Sequence, residues 1–146
     1  MLDSGSNTSF ISKNFVKKLG IRGLKTHLTM NLAGGQKKSE VSEFLDITVV
    51  SKTEPSIQKY MRAYAINKPC SPARTVSRTT LESYPHLKSV SEQLHLSGGT
   101  VDLLIGTDFA DALNDMHVIA RKSEEPIAKG KFLRVVRHGN ICFKAG

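Results

Sequence analysis

Tryptophan is absent, cysteine occurs twice, proline five times, and aromatic residues make up 6% of the 146-residue chain. The two cysteines, Cys70 and Cys142, stand far apart with no C-x-x-C pairing, which excludes a disulfide scaffold and a thiolate zinc or redox site; both are read as reduced thiols. The histidines never fall at ligand spacing from one another, so neither a metal nor another cofactor is expected. No run approaches the roughly 18 apolar residues that span a bilayer, and no charged stretch followed by an apolar one opens the chain. The expectation is an intracellular, cytoplasmic protein without membrane contact. Acidic residues are also scarce, 13 against 21 Lys and Arg, which leaves a formal charge of +8.

That excess is the signature to test for nucleic acid, whose phosphates need a concentrated positive face. Residues 1–73 hold 11 basic and 5 acidic side chains and the remainder 10 and 8, so the surplus is scattered and no single patch emerges. The groups Lys17-Lys18, Lys37-Lys38 and Lys129/Lys131/Arg134/Arg137 lack the interleaved aromatics that stack bases, so they read as solvated faces and direct nucleic-acid binding is not expected. The length suits one domain over 1–146, and at 39% hydrophobic residues the chain lies outside the range of disordered sequences.

Turn residues divide this chain into short elements. Ser12 is an N-cap, Phe15, Val16 and Leu19 share a face, and Gly20 stands at a C-cap, which predicts a helix of about two turns. The period then becomes two: Leu28, Met30 and Leu32 alternate with polar residues up to Gly34-Gly35, and the return runs through Val41 and Phe44 into Leu45, Ile47 and Val49, ending at Glu54-Pro55-Ser56. Lys59 to Ile66 reads as another strand, and residues 67–100, with Pro69, Pro72, Pro85 and Gly98-Gly99, as a long connection. Val101 to Ile105 is nearly continuously apolar, as in a strand covered on both faces, and Gly106 ends it. Thr107 or Asp108 caps a short helix with Phe109, Ala112 and Leu113; three strands follow at Met116–Ala120, Phe132–Val136 and Ile141–Phe143, the last two joined at Gly139-Asn140. The class is mainly β with one or two short helices.

One tripeptide carries chemistry, Asp3-Ser4-Gly5, and its simplest reading is a turn in which Asp accepts backbone hydrogen bonds. A second element follows about a hundred residues later, Leu104-Ile105-Gly106. Together with LDSGSNTSFISKNFVKKLGI at 2–21, NLAGGQ at 31–36, YPHLK at 84–88, VDLLIGTDF at 101–109 and EPIAKGKFLRVVRHG at 125–139, the pair resembles the retropepsin-like aspartic peptidases, most closely those of Pao/BEL-type retrotransposon polyproteins.

The resemblance implies a closed β-barrel half that pairs with an identical chain. Asp3 would be the catalytic carboxylate and would meet its symmetry mate across a two-fold axis, because one short chain supplies only one of the two carboxylates that such a hydrolysis uses. Ser4 would brace the two loops across the axis, and Gly5 would let the backbone turn close beneath the carboxylates. Leu32, Ala33, Gly34 and Gly35 would form the mobile flap over a bound polypeptide, and Leu104, Ile105 and Gly106 would pack under the active-site loop without chemistry. Asp102 and Asp108 flank that second motif at positions where acidic residues are structural, and His86 and His138 have no assigned proton-transfer role. The function implied is cleavage of a retroelement polyprotein by an aspartic endopeptidase. The alternative is an inactive retropepsin-fold module for dimerisation or protein binding.

Two departures stand out. Family members enter the Asp-Ser-Gly loop from N-terminal strands, whereas only Met1 and Leu2 precede Asp3, so the chain reads as a truncated domain. Arg134-Val135 also stands where Gly-Trp is common.

Overall fold

The period-two stretches form one mixed sheet. The structure, a computed structural model, describes residues 1–51, 56, 58–112, 115–131 and 141–144. Its strands are β1 (Phe10–Ser12), β2 (Leu24–Asn31), β3 (Lys37–Ser51), β4 (Gln58–Ile66), β5 (Leu103–Leu104), β6 (Asp115–Ile119), β7 (Ala128–Lys131) and β8 (Ile141–Lys144). The main sheet runs β2-β3-β4-β1-β5, with β8 also paired to β3, and β6 and β7 make a separate ribbon. All these pairings are antiparallel except β1 with β4, where Phe10 lies opposite Tyr64 in a parallel register.

The length of β3 organises this arrangement. Its first half, Lys37 to Phe44, pairs with β2, and its second, Phe44 to Val50, pairs with β4 on the other side. Only the second half is core: Leu45, Ile47 and Val49 are buried with Met61, Ala63 and Ala65 of β4, Ile11 of β1, and Leu103 and Ile105. The β2–β3 hairpin extends beyond that core, so Val41, which continues the apolar pattern, is 57% exposed.

The expected closed barrel is not formed among the described residues, because the strand path is open, with β2 and β5 at its ends. β5 is only two residues long, as Val101 and Asp102 stay outside the ladder, and it offers too little backbone to close on β2.

Helix α1 (Lys13–Leu19) forms where its caps predict. The Ser12 hydroxyl accepts the Phe15 N–H at 3.1 Å and donates to the Asp102 carboxylate at 2.7 Å, while Gly20 takes φ 67°, the left-handed conformation of a C-cap. The Ser12 cap thus fastens the helix to the start of the second motif.

Residues 67–100 are more ordered than a long connection. They contain α2 (Arg78–Glu82), a 3-10 turn at Pro85–Val90 and α3 (Ser91–Leu94), so the helices exceed the one or two expected. Leu81 and Leu87 bury with Ala128 of β7, packed by Val76, Tyr84, Val90, Leu94 and Ile119, so this segment lies on the β6–β7 ribbon. Pro85 breaks the three-and-four spacing of these residues into short turns, which hides their period. After Gly106, residues Thr107–Ala112 form a 3-10 turn. The expected strand Phe132–Val136, the Gly139-Asn140 turn, Leu113, His138, Arg134-Val135 and the Glu54-Pro55 end of the hairpin return lie outside the described residues.

Glu40 joins α1 to the hairpin: its carboxylate meets Lys13 and Lys38, each at 3.2 Å. Burial alone would push the Glu40 carboxyl up, but hydrogen bonds from Lys38 and Lys13 and their charges outweigh it and hold the group below its ordinary value. The folded carboxyl therefore binds a proton less readily than the unfolded one. Its contribution is full above the unfolded carboxyl range and is lost as pH falls through the lower folded value. Glu40→Gln should destabilise the protein at neutral pH and progressively less below pH 5, read by urea melts across the acid range; a difference constant with pH would contradict this assignment.

Candidate active site

The residues before Asp3 are few but paired. Leu2 forms a parallel bridge with Ile105, the Ile105 N–H donates to the Met1 carbonyl at 2.8 Å, and the Asp3 N–H donates to the Ile105 carbonyl at 2.9 Å. Asp3 therefore leaves a short sheet-like pairing. Its carboxylate Oδ1 accepts the Gly5 N–H at 2.9 Å, which fixes one oxygen within the turn. A Cβ on Gly5 would lie 3.2 Å from that same oxygen, so the glycine leaves room for the carboxylate. Ser4 is exposed, and its hydroxyl bonds no group among the described residues.

The rest of the loop is clamped by the second motif. Leu104, Ile105 and Gly106 are buried directly beneath it. The Gly106 N–H donates to the Ser9 hydroxyl at 3.0 Å, and the Thr107 N–H donates to the Ser6 carbonyl at 2.8 Å. Ser9, fully buried, in turn donates its N–H and its hydroxyl to the two carboxylate oxygens of Asp108, at 2.9 and 2.7 Å. Gly106 is required by space: a Cβ there would meet the Ser6 and Thr8 carbonyl oxygens at 2.7 Å. Asp102 and Asp108 are thus both committed to serines, Ser12 and Ser9 respectively.

Asp3 opens into a cleft of about 540 Å³. Gly5, Ser6, Asn7 and Thr8 of the loop line it, together with Phe10, Ile66 and Leu104 from the sheet. Leu28 and Met30 of β2 and Leu32 and Ala33 of the hairpin tip form its other wall. Of the four tip residues, Gly34 and Gly35 lie outside the lining; they take φ of 79° and 77° and complete the turn, in which the Leu32 N–H donates to the Gln36 carbonyl at 2.7 Å. Among the described residues Asp3 is the one carboxylate in the lining, and a second acidic group must come from elsewhere if two are to act on one bond.

Several residues of this cleft escape a reading of the sequence. Lys38, Lys68 and Pro69 stand in the lining. Lys68 and Pro69 come two and three residues after β4 ends at Ile66, and the parallel β1–β4 pairing brings that end of β4 beside the strand that follows the Asp3 loop. The Ser9 and Asp108 partnership is likewise unmarked by any spacing, since it spans 99 residues. His86 is elsewhere: its Nε2 contacts the Pro126 carbonyl at 2.9 Å, within the helical segment's packing against the β6–β7 side. Cys70 is a free thiol whose Sγ lies 3.6 Å from the Met1 sulfur, and burial pushes its ionisation up, as expected of an unreactive cysteine. Among the described residues no cluster of three or more His, Cys, Asp or Glu side chains is arranged to hold a metal ion, and no helix is long and apolar enough to cross a membrane.

No family model matches the chain, and neither a curated protein nor a solved structure matches it. The functional reading therefore rests on the residues themselves.

The clamp makes a direct prediction. Gly106→Ala should cost about 1–3 kcal/mol of stability, since a methyl group is forced against two carbonyl oxygens in a packed site. Urea denaturation measures this, and an unchanged midpoint would show that the loop is not held as described.

Proposed function

We propose that this mainly β chain is one half of a retropepsin-like aspartic endopeptidase, assembled with a second identical chain and acting on a polypeptide such as a retroelement polyprotein. The observation that carries the reading is the setting of Asp3: a single carboxylate, one oxygen fixed by the Gly5 N–H, on a braced loop opening into a cleft beside a glycine-tipped hairpin. The resemblance of the Asp-Ser-Gly and Leu-Ile-Gly motifs to that family supports it, and so does the packing of one motif beneath the other.

The chemistry follows from a shared pair. Asp3 and Asp3 of the partner subunit, brought within a few ångströms, cannot both ionise, so together they hold one proton. The ionised carboxylate takes a proton from a water molecule as its oxygen attacks the scissile carbonyl carbon; the protonated one donates towards the carbonyl oxygen. A proton is then passed to the amide nitrogen, the carbon–nitrogen bond breaks, and an acid and an amine leave. In this scheme Gly5 orients Asp3 through its N–H, Ser4 braces the paired loops, and the tip formed by Leu32, Ala33, Gly34 and Gly35 covers the peptide.

Asp3→Asn removes the exchangeable carboxyl while keeping the shape of the side chain. It should lower peptide turnover by about 10²- to 10⁴-fold or more, with the melting transition unchanged. Cleavage of a peptide library followed by mass spectrometry reads this, and equal turnover by the variant would overturn the assignment.

A further inference from the structure

A second cleft of about 490 Å³, which shares no lining residue with the first, lies between α1 and the β2–β3 hairpin. Four cations from three different elements face it: Lys13 and Lys17 of α1, Arg22 of the connection, and Lys25 of β2. Lys13 is shared with Glu40 at 3.2 Å, whereas Lys17, Arg22 and Lys25 make no ion pair among the described residues. Among the described residues one acidic side chain, Glu43, lies in the lining, and one of its oxygens accepts the Gly23 N–H at 3.0 Å. Val16, Ile21, Val41 and Ala65 supply apolar surface between the charges.

The helix C-terminus accounts for Lys17, since a cation there complements the helix dipole, but not for Arg22 and Lys25 on other elements. Like charges gathered around one concavity repel one another, and an anion relieves that repulsion. A guanidinium fork beside two lysine ammonium groups suits the clustered oxygens of phosphates. The cleft's size is that of small-molecule sites, roughly 300–1,000 Å³. Among the described residues no aromatic side chain lines it to offer the stacking platform by which extended single-stranded nucleic acid is held.

We infer that this cleft is a binding site for a small organic polyphosphate, with Lys17, Arg22 and Lys25 gripping the phosphates and Val16, Ile21 and Val41 meeting its organic body. The inference stands apart from the peptidase reading, since it uses none of the residues around Asp3.

The test is an NMR titration of the full chain with ATP and, separately, with inorganic tripolyphosphate. Saturable shifts are expected at the backbone amides of Val16, Ile21, Arg22 and Val41. Tighter binding of ATP than of tripolyphosphate supports the inference, whereas equal or tighter binding of tripolyphosphate would overturn the assignment of Val16, Ile21 and Val41 to an organic body. Arg22→Gln should weaken binding about ten-fold, and the combined Lys17→Gln, Arg22→Gln, Lys25→Gln variant about a hundred-fold or more. These side chains are exposed, so Arg22→Gln should melt as the parent does, and the triple variant should lose no more than the small helix-dipole contribution of Lys17. No saturable shift with either probe, shifts confined to other surfaces, or undiminished binding by the triple variant would overturn the inference. So would tight binding of a single-stranded RNA that ATP does not displace.

Discussion

The structure depends on Ser9. Its fully buried side chain sits between two segments about a hundred residues apart, accepting the Gly106 N–H and donating to Asp108, while its own N–H takes the second Asp108 oxygen. A buried hydroxyl left unpaired costs about 1–3 kcal/mol, so this saturated arrangement specifies one approach of the two segments and no other. From it follow the pairing of Leu2 with Ile105, the covered position of Gly106 and the direction in which Asp3 leaves the sheet.

The core supports the same end. Leu45, Ile47 and Val49 pack against Ile11 and Ile105, so the strand that carries the loop and the motif beneath it share one apolar body with the long strand β3. Burial of such side chains contributes about 1.5–3 kcal/mol each. The hairpin formed by β2 and the first half of β3 projects from that body, and its tip residues Leu32, Ala33, Gly34 and Gly35 are exposed. A braced loop beside an exposed hairpin tip is the arrangement on which the proposed chemistry draws.

Much of this arrangement was legible in the sequence because it is local. Ser12 and Gly20 mark the ends of α1, alternation marks the β2–β3 hairpin, and the Asp-Ser-Gly and Leu-Ile-Gly tripeptides mark the two segments that meet. What was not legible depends on contacts distant in the chain. Asp102 reads as part of a continuous strand, but β5 spans only Leu103–Leu104, the Asp102 carboxylate accepts the Ser12 hydroxyl, and the sheet is open where a closed barrel was expected. Leu81, Leu87 and Leu94 belong to a second apolar cluster whose other half, Ala128 and Ile119, lies more than twenty residues further on, so the helical turns looked like a connection. Lys13, Lys17, Arg22 and Lys25 are close in the sequence, but the cleft they share is completed by Val41, Ser42 and Glu43 of β3 and Ala65 of β4, which only the fold brings beside them.

The central claim is that two chains each give one carboxylate to a single site. Mixing wild-type chains with Asp3→Asn chains at constant total concentration, under conditions of full exchange and dimerisation, tests it most directly through the rate of peptide cleavage. If every active site needs two intact Asp3 side chains, the rate falls as the square of the wild-type fraction. A rate falling in direct proportion to that fraction would mean that each chain works alone, and would contradict the account.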